Sequence, residues 1–172
     1  FFFYIDGVYT IIDMATAYGT SLGLNTTGLL LALLLTQIVA FPASLTFAVL
    51  SKTKDTASLI KVAIIAYFLI ALFAVQLDKQ WEFWILAVAV GCFQGGIQAL
   101  SRSYFAKIIP ENASGEYFGL FDICGKGASF LGTMLIGVVT QITGKQNLGV
   151  AALSIMFVIG YLIFNKVSKM DD

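Results

Sequence analysis

Polar side chains recur at helical spacing near the start of the chain, inside otherwise apolar sequence. Asp6, Thr10 and Asp13 stand at positions i, i+4 and i+7, so they share one face of a helix. A carboxylate held away from water resists ionisation, which suits it to load and release a proton near neutral pH. Asp6 or Asp13 is therefore a candidate proton carrier. The alternative is that each is permanently paired or caps a helix break at Gly7.

A second polar group lies in the stretch GCFQGGIQALSRSYFAKIIP, at residues 91–110. Gln94, Gln98 and Arg102 follow one another at intervals of four and share a helix face. The two amides offer donors and acceptors without charge, as recognition of a zwitterion requires, although they can equally make packing hydrogen bonds. Arg102 is expected at an inner gate, or as a helix-end residue reaching toward the membrane surface, paired with Glu116 or a loop carboxylate.

A third group is charged. Asp122 and Lys126 are four residues apart with the acidic residue first, which is the order and spacing of an intrahelical ion pair. Counted at about 1.5 Å per residue from Glu116, Lys126 reaches near the middle of a bilayer. The pair either only stabilises a helix bundle or takes part in transport, with Lys126 exchanging between aspartates of the protein and a substrate carboxylate.

Composition determines where these side chains must lie. Of the 172 residues, 59% are hydrophobic and 12% charged, and the mean hydropathy is +0.89, more apolar surface than a soluble domain can bury. Ten basic and ten acidic residues cancel, without the basic patch that nucleic-acid binding requires. Histidine is absent, and Cys92 and Cys124 lack the spacing of a metal site or redox pair. We expect no enzymatic activity, no metal, no cofactor and no nucleic acid.

Six apolar segments are long enough to cross a bilayer, which takes about 20 residues per helix. Short polar connections separate them, and none is long enough for a second domain. The predicted fold is all-α, a six-transmembrane-helix bundle with spans near residues 1–20, 28–50, 59–77, 83–109, 115–142 and 147–165. Because the chain opens on Phe1-Phe2-Phe3 without an initiating Met or a signal-peptide pattern, we expect it to be a fragment.

Polarity is distributed unevenly over the six spans. The first and fourth carry polar faces and are predicted to line a cavity, whereas the third and sixth are almost wholly apolar and are predicted to face lipid. The second and fifth contain residues that permit bending or close approach: Pro42 in the second, and Gly125, Gly127 and Gly132 in the fifth. This pattern predicts two three-helix inverted repeats with a site between them near the midplane.

Three stretches give the sequence a family resemblance: FFFYIDGVYTIIDMA, LTQIVAFP and CFQGGIQALSRSYFAKIIP. With them the chain resembles the C-terminal half of a major facilitator superfamily transporter, specifically the Unknown Major Facilitator family and the autophagy-associated vacuolar amino-acid effluxers. The resemblance implies that the spans are the seventh to twelfth of twelve and that a six-helix N-terminal half is the missing partner. The chain departs from relatives at residues 50–55, which lack the glycine of a gating motif, and at Thr133, where a proline is expected.

The predicted function is secondary transport of a small polar solute by alternating access. The resemblance implies amino-acid efflux, and the carboxylates of the first span allow proton coupling. Two alternatives stay open, a six-helix channel or pore lined by the same polar faces and a non-transporting scaffold subunit. A carrier shows saturation and counterflow, a channel shows single-channel currents, and a scaffold shows neither. Expressed alone, the chain is expected to associate or to fail to transport.

The expected location is an integral membrane position, in the cell membrane of a bacterium or the vacuolar membrane of a fungus. Basic residues in short loops stay cytoplasmic. Lys52 and Lys54 lie in the second connection, and Lys166 and Lys169 follow the last span. Both termini of this segment are therefore predicted to be cytoplasmic.

This orientation is testable with single cysteines. Labels at Ser51→Cys and Glu111→Cys should react only from the cytoplasmic face, and one at Gln80→Cys only from the outside, because one predicted span separates Gln80 from each of the other two positions. The measurement is modification by a membrane-impermeant maleimide in sealed vesicles. Labelling of positions 80 and 111 from the same side would contradict the six-span topology.

Overall fold

A computed structural model of the protein describes residues 1–110 and 113–170, so that Glu111, one of the labelling positions, lies outside the described residues. Within those ranges the chain forms α-helices and no strand. The helices are α1 (Phe2–Ser21), α2 (Thr26–Leu50), α3 (Thr56–Ala74), α4 (Gln80–Ile108), α5 (Ser114–Lys126), α6 (Phe130–Thr143) and α7 (Gln146–Ser168).

Among the described residues, five helical segments are long and apolar enough to cross a membrane: α2, α3, α4, α7 and the α5–α6 segment from Ser114 to Thr143. The 20-residue α1 is not among them, and it is the helix that carries Asp6, Thr10 and Asp13. The prediction of an all-α membrane bundle is confirmed, whereas the division into six spans stays a prediction.

The fifth predicted span consists of two helices. α5 ends at Lys126, and α6 begins at Phe130. Between them Ser129 has a φ of 75°, in the left-handed region that residues other than glycine adopt only with strain. The bending expected from the glycines of this span is confirmed as a full break. Pro42, by contrast, lies within the uninterrupted α2.

Thr133 belongs to the first turn of α6. Its backbone N–H donates to the carbonyl of Ser129 at 3.0 Å, and its hydroxyl donates to the same carbonyl. A proline at this position could not make the first of these bonds. The presence of threonine rather than proline at position 133 is therefore compatible with a regular start to α6. The break lies before Thr133.

Small residues let α2 and α4 approach closely. A Cβ added to Gly91 would lie 2.7 Å from the backbone oxygen of Thr36, and one added to Gly95 would lie 2.8 Å from the Cβ of Ser44. The spacing of Gly91 and Gly95 predicts this close packing, and the structure confirms it. The same spacing at Gly115 and Gly119 predicts a second contact, but among the described residues the space around both is open.

The remaining helices complete a bundle in which α3 packs against α4 and α7, α6 packs against α7, and α1 packs against α7 and α6. α3 lies on α4 as α7 lies on α1, and α2 lies on α4 as α6 lies on α1. Inverted repeats would produce this correspondence between the contacts of the first three spans and those of the last three. The repeat itself stays a prediction.

Apolar side chains cover the outside of the bundle. α3 and α7 each bury one face and expose a second apolar face, as the prediction of lipid contact requires. α2 exposes a continuous stripe at helical spacing: Leu30, Leu34, Ile38, Phe41, Leu45 and Val49. Such surfaces fit a bilayer, or a second half of the same protein, and would be unstable in water.

The connection between α2 and α3 ends in a helix cap. Asp55 accepts the N–H of Ser58 at 2.8 Å and that of Ala57 at 3.2 Å. The backbone hydrogen bond from Ser58 is the largest of the interactions that hold the pKa of Asp55 below its usual range. Lys107 at the end of α4 donates to the hydroxyl of Thr56 at 3.2 Å. Within the described residues, the acidic residue of this loop caps a helix and forms no ion pair.

Candidate functional site

A polar cavity of about 530 Å³ opens between α1, α4 and α5. Its polar lining is Tyr9, Gln98, Arg102, Asp122 and Lys126, and its apolar wall includes Phe1, Ile5 and Phe121. Lys126 is the last of the 13 residues of α5 in a broken span of 30, so the cavity reaches close to the middle of the span. Four residues predicted for the site, from two different helices, therefore meet here.

An ion pair forms part of the lining of this cavity. Nη2 of Arg102 donates to Oδ1 of Asp122 at 2.6 Å, and the guanidinium lies 5.8 Å from the centre of the Phe121 ring. The side chains are 60% and 49% exposed, so a solute in the cavity can reach both. The pair is short and charge-assisted, but solvent screens the attraction because both side chains are about half exposed.

This ion pair corrects two predictions about charge. Arg102 is paired with Asp122 rather than with Glu116, which lies about 9 Å farther along α5 at 1.5 Å per residue. Asp122 is consequently not paired with Lys126. An intrahelical pair at this spacing contributes only about 0.2–0.5 kcal/mol, and a guanidinium from the neighbouring helix supplies a competing donor.

Lys126 is the free cation of the cavity. It is exposed, and within the described part of the chain it makes no ion pair and no side-chain hydrogen bond. Its place in the last turn of α5 is favourable for a positive charge, because the carbonyl end of a helix carries partial negative charge. The cavity thus presents one unpaired cation beside one ion pair.

Asp6 and Thr10 lie outside the cavity. Both are fully buried, and they face α6. The Asp6 carboxylate accepts the N–H of Gly132 at 2.7 Å, the N–H of Leu131 at 3.1 Å and the hydroxyl of Thr10 at 3.3 Å. Of the alternatives considered for Asp6, capping of a helix break fits this geometry. The break is in the fifth span, however, and α1 runs without interruption through Gly7.

Asp13 differs from Asp6 although both belong to α1. Its side chain is exposed, and among the described residues it has neither an ion pair nor a side-chain hydrogen bond. The shared helix face predicted for these residues therefore contains one carboxylate bound in the protein interior and one accessible carboxylate.

The two glutamines also separate. Gln98 is half-buried and lines the cavity, one turn from Arg102. Gln94 is not part of this lining, and its Oε1 is buried without a hydrogen-bond donor among the described residues. Gln98 is thus the amide that can contact a solute in the cavity in this conformation.

Sequence reasoning missed Tyr9. It follows Phe1 and Ile5 at intervals of four, and these three residues form the α1 side of the cavity. The signal was an apolar stripe that ends in a phenol, which is weak because aromatic residues are common throughout the chain. A second tyrosine, Tyr4, hydrogen-bonds the hydroxyl of Ser101 at 2.8 Å and fixes α1 to α4 beside the cavity.

The lining offers a cation, an ion pair, an amide and a phenol within one space. Such a lining can bind the charged and polar groups of a small solute through ion pairs and hydrogen bonds.

Comparison with known proteins gives consistent matches. A family model described as "Vacuole effluxer Atg22 like" matches residues 1–170. An uncharacterized MFS-type transporter of Bacillus subtilis, YxiO, is 46% identical over 163 residues, covering 95% of this chain and 38% of that protein. Autophagy-related protein 22 of Eremothecium gossypii is 35% identical over 95 residues, covering 55% of this chain and 19% of that protein. The chain thus spans well under half the length of these relatives, and no solved structure matches it significantly.

Double-mutant cycles test the pairing of Arg102. The cycle of Arg102→Ala with Asp122→Ala should give a coupling free energy of about 1 kcal/mol, since both side chains are half exposed and solvent screens their attraction. Cycles of Arg102 with Glu116, and of Lys126 with Asp122, should give no measurable coupling. The measurement is the free energy of unfolding of the full-length protein in one detergent. A larger coupling for either control cycle would contradict the assigned pair.

Proposed function

The chain belongs to the Atg22-like vacuole effluxer family, and on this basis we propose that it is the C-terminal half of a major facilitator carrier that moves a small polar solute by alternating access. The Bacillus relative is named an MFS-type transporter and the family model is described as a vacuole effluxer, and the helical bundle with its apolar exterior supports a membrane location. The missing partner in this proposal is the six-helix N-terminal half, which would face the open side of the cavity. The length of the Bacillus relative supports this, because the chain covers only 38% of it.

The observation that carries the proposal is an unpaired lysine near the middle of a membrane span. A charge at this depth is costly unless it faces a partner or water, so it marks a site. Lys126 faces the polar cavity and is available to bind the carboxylate of a solute. Asp122 can receive an ammonium group, and Gln98 can bind either end. We therefore propose a zwitterion of amino-acid type as the solute.

In the same mechanism Arg102 and Asp122 form a gate. Their ion pair links α4 to α5. It lies on the side of the cavity nearer the end of α4 and the start of α5, which are predicted to be cytoplasmic. Glu116 is exposed and nearer to that side, and it would be the next carboxylate available to Arg102 when α5 moves. Cytoplasmic placement of both termini is part of this proposal. The membrane would be the cell membrane in a bacterium and the vacuolar membrane in a fungus.

We assign proton coupling to Asp13. The supporting observation is its exposure without a partner among the described residues, whereas Asp6 is occupied by three hydrogen bonds. A proton carrier must exchange with water during the cycle, and Asp13 is the accessible carboxylate of α1.

The solute site is tested by Lys126→Gln in the full-length protein, reconstituted in lipid vesicles. Loss of one charge-assisted contact weakens binding about 10- to 100-fold, so counterflow of a labelled amino-acid mixture should fall at least tenfold at limiting concentration. Lys145→Gln is the matched control, because Lys145 is exposed in the turn before α7, and it should transport normally. Saturable counterflow with unchanged KM in Lys126→Gln would contradict the site, and single-channel currents would indicate a pore.

The proton is tested in the same vesicles with Asp13→Asn, which keeps the size of the side chain and removes its titratable group. Uptake driven by a pH gradient should be lost, whereas counterflow, which needs no net proton movement, should persist. Asp122→Asn serves as a comparison in which both activities should decline because Arg102 loses its partner. Full pH-driven uptake by Asp13→Asn would exclude coupling through this residue.

A further inference from the structure

The break in the fifth span is held in place by a different helix. The first amides of a helix lack acceptors within that helix and need other partners. In α6 the residue at the N-cap, Ser129, makes no capping bond with its side chain. The carboxylate of Asp6, from α1, accepts the N–H groups of Leu131 and Gly132 instead. A cap supplied across 126 positions of sequence ties α1 to the start of α6.

Steric fit accompanies these hydrogen bonds. A Cβ at Gly132 would collide with the Thr10 side chain and would lie 2.9 Å from Oδ1 of Asp6. The absence of a side chain at Gly132 therefore permits α1 to approach the α6 backbone. Thr10 also donates its hydroxyl to the carboxylate that caps α6. Asp6, Thr10 and Gly132 thus form one buried contact, which we name the α1–α6 junction.

The two halves of the broken span are held very differently. α6 packs against both α7 and α1, and it buries Gly132 and Ile136. α5 packs against α1, and Phe121 is the one residue of α5 that is buried. Phe121 stacks on Phe1 with ring centres 4.0 Å apart. α5 is joined to α4 by Phe105, whose ring centre lies 4.7 Å from that of Phe121 and 5.6 Å from that of Phe118, and by the exposed bridge between Arg102 and Asp122.

We propose that Asp6 is a positioning residue and that the α1–α6 junction is the fixed point on which α5 turns at residues 127–129. α6 stays with α1 and α7 while α5 carries Asp122 and Lys126 toward or away from α4. This assignment deepens the proposed function. It rests on that function in one respect, the link between movement of α5 and opening of the cavity. It gives Asp6 a role distinct from proton transfer.

Hydrogen exchange tests the junction in the full-length protein. In Asp6→Ala the amides of Leu131 and Gly132 lose their acceptor and should exchange about tenfold faster, since one hydrogen bond contributes about this factor. Asp6→Asn keeps one acceptor oxygen and should give an intermediate rate. Asp13→Asn is the matched control on the same helix and should leave both amides unchanged. Equal rates in all four proteins would overturn the junction.

Spin labels test the hinge. One pair joins α5 to α7 at Tyr117→Cys and Leu162→Cys, and the other joins α6 to α7 at Val138→Cys and Leu162→Cys, with Cys92 and Cys124 replaced by serine. All three labelled positions are exposed. With Asp6 unchanged, pulsed electron paramagnetic resonance should give a distance distribution that is several ångströms broader for the α5 pair than for the α6 pair. Asp6→Ala should broaden the α6 pair as well. Two equally narrow distributions, or two equally broad ones before Asp6 is changed, would overturn the hinge.

Substitutions of Ser129 give a further measurement that does not depend on changing Asp6. Because its φ is 75°, Ser129→Gly should raise the unfolding midpoint and Ser129→Val should lower it, so that the two differ by several degrees. In a continuous helix the order would reverse, because glycine is the poorer helix former. The reverse order would therefore overturn the break on which α5 turns.

These physical measurements require no solute, which separates their failure from that of the proposed function. If hydrogen exchange and spin-label distances change as expected but labelled amino acids show no counterflow, the carrier is contradicted and the junction is not. Unchanged exchange in Asp6→Ala together with normal counterflow would contradict the junction alone. If Asp6→Ala does not fold, Asp6→Asn and the unchanged protein decide the question by the same two readouts.

Discussion

A polar group inside a bilayer has no water to bond, so it must find a partner within the protein or face a water-filled space. This constraint accounts for both unusual features of the bundle. The first amides of α6 lie within the broken fifth span, and the buried carboxylate of Asp6 accepts two of them. The charges of Arg102, Asp122 and Lys126 lie together in the cavity between α1, α4 and α5. One set of polar groups is satisfied by protein, and the other is accessible to water and solute.

The two solutions have different mechanical consequences. A buried carboxylate with three donors resists displacement, because removing it would leave backbone amides unpaired in an apolar interior. An exposed ion pair is weaker and can exchange partners at little cost. The structure places the first kind at the junction of α1 and α6 and the second kind between α4 and α5. Close packing at Gly91 and Gly95 adds a second rigid contact, between α2 and α4.

Sequence predicted those features that depend on neighbouring residues. Apolar segments of sufficient length gave the spans, and the glycine spacing at Gly91 and Gly95 gave the close packing of α4, because both are properties of one helix. The partners of Asp6 and Asp122 were not predictable in this way. Leu131 and Gly132 are about 125 positions from Asp6, and the acceptors and donors involved include backbone groups that sequence does not single out. Helical spacing correctly put Lys126 within reach of Asp122, but the approach of α4 brought a competing guanidinium that depends on tertiary packing.

The charge balance of the cavity constrains the kind of solute that the proposed carrier could move. Arg102 and Asp122 cancel, which leaves the single positive charge of Lys126 facing an interior that would become less hydrated whenever the cavity closes. Closing over an uncompensated cation is costly in a low dielectric. A solute carboxylate would offset that cost, so closure would be easier with the solute bound than without it. The same reasoning disfavours a solute that is only cationic, because it would add to the positive charge near Lys126. In the proposed carrier, the unpaired lysine would thus couple solute binding to closure, and the solute would need to carry an anionic group.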